Sequence, residues 1–106
     1  MDFMKMLDKA CGEELLQRHV DMDQANKEKR YYCSKVECEI CHCDFKDQKY
    51  LTDCELKDQP GAWSLMCAEC YSKHGGGIGY GVGQLYMKQD NGKWLKVGGF
   101  APADCQ

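Results

Sequence analysis

The chain has 106 residues, enough for one domain with at most a separable helical segment. Apolar residues make up 43% and charged residues 29%, which excludes a disordered chain. No apolar run reaches the roughly eighteen residues needed to span a membrane. The formal net charge of −3 argues against non-specific attraction to nucleic acid, which needs a basic surface.

Residues 1–30 are predicted to form an N-terminal helical segment. Phe3, Leu7, Cys11, Leu15 and His19 recur every four residues, with Met6, Ala10, Leu16 and Val20 widening the stripe. The pattern predicts one helix from Asp2, its cap, to about residue 22, with Gly12 as a point where it can split in two. The stripe is expected to pack on the rest of the chain. Its alternative use is a partner-binding or dimerising face, so both monomer and dimer are carried forward. The acids mixed into this segment leave no continuous apolar region for a signal peptide, which predicts an intracellular, cytoplasmic protein. Residues 21–30 are polar and predict a solvated helix extension or linker.

Residues 31–106 are predicted to form the second unit. "CEIC" (Cys38–Cys41) is followed by "KYLTDCEL" (Lys49–Leu56), the turn "DQPG" (Asp58–Gly61) and "AWSLM" (Ala62–Met66), which predicts a hairpin with a type II turn at Pro60-Gly61. "CAECYSKH" (Cys67–His74) predicts two helical turns stopped by Gly75. Residues 84–99 predict a second hairpin. A three-residue Asp90-Asn91-Gly92 loop pairs Met87 with Leu95 and Leu85 with Val97, keeping like residues on each face, with Gly92 left-handed. The other face then holds Tyr86 beside Lys96 and Lys88 beside Trp94. These four form the candidate partner surface.

Nine cysteines, an odd count without an export signal, favour metal ligation or free thiols over disulfides. Two CxxC pairs 25 residues apart supply four soft thiolates, the donor set that tetrahedral Zn²⁺ prefers. Cys38, Cys41, Cys67 and Cys70 are therefore the predicted ligands of one structural Zn²⁺. Cys43 and His74 are alternative ligands: Cys43 can replace Cys41, and His74 lies one helical turn beyond Cys70. Cys11, Cys33, Cys54 and Cys105 are expected to be free or buried thiols, while Cys33, Cys43 and His42 match no standard second-site spacing. A redox pair would need a βαβ pattern that is not found, and ferredoxin cysteine spacings are absent.

A CxxC at a turn, then a hairpin, then a CxxC opening a short helix resembles the treble-clef zinc-finger superfamily over Val36–His74. That resemblance implies that Cys38 and Cys41 form the zinc knuckle and that Cys67 and Cys70 sit on the helix's first turn. One departure is His42, which stands where a knuckle glycine often follows the second ligand. The fold class expected is α+β: a small zinc-stabilised domain with a treble-clef-like core, an N-terminal amphipathic helix and a C-terminal hairpin.

"GGGIGYGVG" (75–83) has six glycines in nine residues, yet matches neither a dinucleotide fingerprint nor a P-loop. Its alternation from Gly77 to Gly83 predicts an extended run with one bare face, open to close approach by another backbone. With "MCAEC" before it and "GQLY" after it, the stretch resembles small zinc proteins of phages and bacteria. That resemblance identifies no activity, and it implies the host cytoplasm if the chain is phage-encoded.

Treble clefs include HNH-type nucleases, whose general-base histidine belongs on the hairpin. Asp44–Met66 holds no histidine, and the three present are His19, His42 and His74. The function expected is non-enzymatic: a protein-interaction module, a small regulator or inhibitor of a larger complex, with a protein partner and no membrane. The runner-up is nucleic-acid binding in transcription or nucleic-acid regulation, using Lys27, Lys29, Arg30, Lys73, Lys88, Lys93 and Lys96 with Tyr86 and Trp94 as stacking residues.

Overall fold

The alternating runs of the second half become strands of one antiparallel sheet. The computed structural model describes residues 3–32 and 37–102. Its elements are α1 (Phe3–Gln17), α2 (Met22–Glu28), β1 (Tyr31–Tyr32), β2 (Tyr50–Leu56), β3 (Gln59–Met66), α3 (Ala68–His74), β4 (Gly83–Lys88) and β5 (Trp94–Gly98). The five strands lie in the order β1-β5-β4-β2-β3. The architecture is α+β. Asp2, Cys33 and Cys105 lie outside the described residues, and no described helix is long and apolar enough to cross a membrane.

Strand periodicity divides the sheet into two faces. One carries Tyr50, Thr52, Cys54, Met66, Leu85 and Val97, all 2% exposed or less. The Thr52 hydroxyl, fully buried in that set, is satisfied by donating to the Met66 carbonyl at 3.0 Å. Tyr71 of α3 lies on this face beside Cys54, and α1 stacks on α3. The second face carries Leu51, Leu65, Tyr86, Trp94 and Lys96.

The N-terminal helix differs from expectation in two ways. It runs unbroken through Gly12, because that glycine is a contact and not a breaker: a Cβ there would overlap the Ala68 carbonyl oxygen of α3. It ends at Gln17, where His19 and Val20 donate to the carbonyls of Leu16 and Gln17, and Asp21 then starts α2. The Asp21 carboxylate accepts from the Gln24 N–H at 3.1 Å, while its own N–H donates to Val97 of β5. Among the α1 residues whose burial is described, Gly12 and Leu16 are buried and Leu15 packs partly against the core, with Asp8 held by Lys73 of α3 at 3.2 Å. Leu7 and Cys11, from the predicted stripe, stay exposed.

The first hairpin turns earlier than expected. Leu56 pairs with Gln59, so the turn is Lys57-Asp58, and the next pair is Glu55 with Trp63. Pro60, Gly61 and Ala62 form a bulge, and the positive φ of Gly61 (88°) serves that bulge. In the second hairpin Met87 pairs with Leu95, Tyr86 with Lys96 and Lys88 with Trp94, and Gly92 is left-handed (φ 84°). A register shift after Leu85 pairs that residue with Gly98 in place of Val97.

The glycine stretch is not extended throughout. Val82 and Gly83 donate to the Gly79 carbonyl, closing a turn with Gly81 at φ 83° and leaving Tyr80 63% exposed. Close approach does occur, at Gly76 and Gly83, where a Cβ would collide with the Glu55 carbonyl and with Cys54.

Gly12→Ala tests the α1–α3 contact. Helix propensity alone would stabilise the variant by up to about 1 kcal/mol. Overlap with Ala68 reverses the sign, and a net destabilisation of about 1–3 kcal/mol is expected in chemical denaturation.

Candidate metal centre

Two short segments bring the cysteines together. The first is a tight loop held by a bridge between Glu37 and Asp44. Inside it the Cys38 N–H donates to the Cys43 carbonyl (3.0 Å), the His42 N–H to the Cys38 carbonyl (2.9 Å) and the Cys41 N–H to the Cys38 sulfur (3.5 Å). His42 adopts a left-handed conformation (φ 64°), the geometry for which glycine is the usual residue. Its ring meets the Glu37 carboxylate at 3.1 Å in an exposed position. That reversal at His42 turns Cys43 back towards Cys38.

The second segment is the β3–α3 junction. Cys67 occupies the N-cap of α3 with extended backbone, and Cys70 is the third helical residue. Glu39 joins the two segments: its N–H donates to the Leu65 carbonyl, and its carboxylate accepts from the Leu65 N–H, both at 2.8 Å.

The sulfurs of Cys38, Cys41, Cys43 and Cys67 lie within 4.8 Å of one another. Those of Cys41 and Cys67 are 3.8 Å apart. An ion bound tetrahedrally at about 2.3 Å from each sulfur needs sulfur–sulfur edges of about 3.8 Å, so the separation fits a thiolate-bound metal. Cys38 and Cys67 are buried, Cys43 is half-buried, and Cys41 is exposed. Of the predicted ligands, three fall inside this tightest group. Cys70 is buried at its border, close enough to Cys38 and Cys41 to be perturbed by both. Cys43, expected as a replacement for Cys41, stands alongside it. His74 is exposed at the end of α3 and outside the group.

The thiols share protons unequally. Cys38 is held down at about 3, chiefly by the hydrogen bond from Cys67, with backbone N–H groups assisting against burial. The same hydrogen bond, with burial, pushes Cys67 up. Burial and the neighbouring sulfurs push Cys70 up to about 12 and Cys43 up to about 11. A metal ion entering this cluster displaces those protons. Cys11 is exposed on α1 and Cys54 is buried under α3, both away from the cluster.

The predicted partner face is largely inside the protein. Trp94 meets Phe45 edge to face at 5.7 Å, and the Lys88 ammonium donates to the Lys46 carbonyl, so the segment leaving the knuckle covers this part of the sheet. Tyr86, Trp94 and Lys96 are 8%, 7% and 9% exposed, and only Lys88 keeps appreciable contact with solvent.

No protein-family model, curated protein or solved structure matches the chain. The cysteine cluster is thus the feature that speaks for function, and it can hold one metal ion.

Two outcomes are expected. Cys38→Ser abolishes stoichiometric metal binding while Cys11→Ser leaves it intact, as read by metal analysis after gel filtration; Cys43→Ser and Cys70→Ser then separate the fourth ligand, whose loss weakens binding at least about tenfold. Apparent metal affinity falls as pH is lowered, because protons on Cys67 and Cys70 compete with the ion. Release of about two protons or more per metal is expected in calorimetric titrations across buffers of different ionisation heat.

Proposed function

We propose that the chain is a non-enzymatic protein-interaction module whose fold is fastened by one structural Zn²⁺. Its knuckle, first hairpin and α3 are treated as a treble-clef-like core. The zinc reading rests on the 3.8 Å Cys41–Cys67 separation within an all-sulfur cluster, since an all-thiolate tetrahedron is a preferred set for Zn²⁺. Cys38, Cys41 and Cys67 are ligands in either assignment, with Cys70 completing the duplicated CxxC set and Cys43 as the alternative. Four thiolates close the coordination sphere and leave no position for a reacting water, which favours a structural role.

The partner reading rests on α1. Leu7 is 48% exposed, Cys11 is exposed one turn later, and Leu15 is half-buried one turn beyond that. An apolar stripe at that spacing on an outward helix face suits a protein groove or a second helix. Burial of Tyr86 and Trp94 withdraws the two aromatics on which nucleic-acid bases were expected to stack. A small regulator or inhibitor of a larger assembly is the role favoured.

About one Zn per chain and loss of cooperative folding on treatment with a strong chelator are expected. For the partner, the zinc-loaded protein and a Leu7→Glu variant are used as bait in the same lysate. Retention of a protein by the first and its loss from the second supports the reading. Tight retention of mixed DNA or RNA with a steep salt dependence would sink it.

A further inference from the structure

The second face of the sheet is covered only in part. The segment after the knuckle lies over Trp94, whereas the far end is open. There a concave pocket of about 750 Å³ is lined by Glu28, Arg30, Trp63, Tyr80, Gln84 and Lys96 among others. Its size falls in the range of small-molecule sites. Two large aromatics in it are strongly exposed, Trp63 at 43% and Tyr80 at 63%.

The polar groups of the pocket are arranged unevenly. Lys96 is 9% exposed, yet its ammonium has no hydrogen bond or ion pair among the described residues; it lies over the Phe100 ring at 5.1 Å. Its pKa is lowered by burial, with nearby Glu28 working the other way. Glu28 is already engaged: one carboxylate oxygen accepts from the Gln24 amide at 2.7 Å and the other meets Arg30 Nε at 3.5 Å. Engagement through Nε leaves the terminal guanidinium N–H groups of Arg30 for a ligand. The Tyr86 hydroxyl donates to Gln84 Oε1 at 2.8 Å, which leaves the Gln84 NH₂ as the remaining donor of that amide. Two cations against one committed carboxylate make a pocket that attracts an anion, and a bound anion would give the Lys96 ammonium a charged partner that it has not got among the described residues.

We infer that this pocket is a binding site for a small aromatic anion of nucleoside monophosphate type, with Lys96 and Arg30 taking the phosphate and Trp63 and Tyr80 offering faces to the base. Gln84 supplies a donor to a ring nitrogen or carbonyl. Stacking is sequence-tolerant, so the class of ligand is specified more strongly than the base. The site is separate from the cysteine cluster and does not depend on the ion being zinc.

The test uses the full metal-loaded chain with adenosine 5′-monophosphate as the probe, followed by NMR of the Trp63 indole and Tyr80 ring. Saturable shifts confined to the pocket are expected, with adenosine alone and inorganic phosphate alone each at least about tenfold weaker. Lys96→Met is expected to weaken binding at least about tenfold, Trp63→Ala likewise, and Trp63→Phe to restore most of it. Unchanged metal content and far-UV circular dichroism establish that each variant is folded. No saturation up to about 10 mM probe would overturn the site, as would full binding by folded Lys96→Met. So would a short single-stranded oligonucleotide that binds the same residues much more tightly than the mononucleotide, since the ligand would then be a polymer.

Discussion

The joint between the knuckle and the β3–α3 junction holds the molecule together. Cys38, Cys41 and Cys43 come from one short loop, Cys67 caps a helix, and nothing in the local chain forces these segments to meet. Two interactions do: the sulfur cluster and the paired hydrogen bonds between Glu39 and Leu65. Once β3 is anchored, β2 follows through the hairpin and β4 through β2, which carries the register as far as β5. Helix α3 starts at Cys67 of the sulfur cluster, so the position of α1 is set by the same joint through Gly12 and Ala68.

Much of this was legible in the sequence because it is local. The Asp90-Asn91-Gly92 loop was predicted from face matching, and the Met87–Leu95 pair with left-handed Gly92 follows from it. Helix α3 was legible from the start at Cys67 and the stop at Gly75. What escaped was tertiary. Gly12 has the same letter whether it breaks a helix or admits a neighbour, and only the Ala68 carbonyl decides between them. Trp94 and Tyr86 resembled an exposed strand face because alternation says which residues share a face, not which face is covered. Phe45, from a loop without periodicity, covers Trp94, and the Tyr32 ring of β1 meets Tyr86 edge to face at 5.4 Å.

The cluster was legible in kind and less so in membership. Duplicated CxxC spacing pointed to Cys38, Cys41, Cys67 and Cys70; the sulfurs of the first three converge with that of Cys43, and Cys70 stands at the border. Cys43 joins them because His42 accepts a left-handed backbone, which costs a residue with a Cβ roughly 1–2 kcal/mol. The Cys41-His42-Cys43 spacing shows that two sulfurs are close in the chain, but not that His42 turns the second one back towards Cys38. Four sulfurs lie within 4.8 Å of one another with Cys70 at their border, one thiol more than a four-coordinate ion would need, and Cys41 is on the solvent side.

Strand β3 is the outermost strand on its side of the sheet, where a row of unpaired backbone groups would ordinarily template another chain. Here the row is closed in part from within the molecule. Pro60 and the bulge after it interrupt the first half, and Glu39 fills the hydrogen-bonding groups of Leu65 in the second as a one-residue imitation of a neighbouring strand. That imitation lasts only while the knuckle keeps its shape. The same cysteines that tie the loop to the β3–α3 junction therefore also guard the sheet against strand addition, and a chain whose loop came undone would meet its neighbours with an open edge.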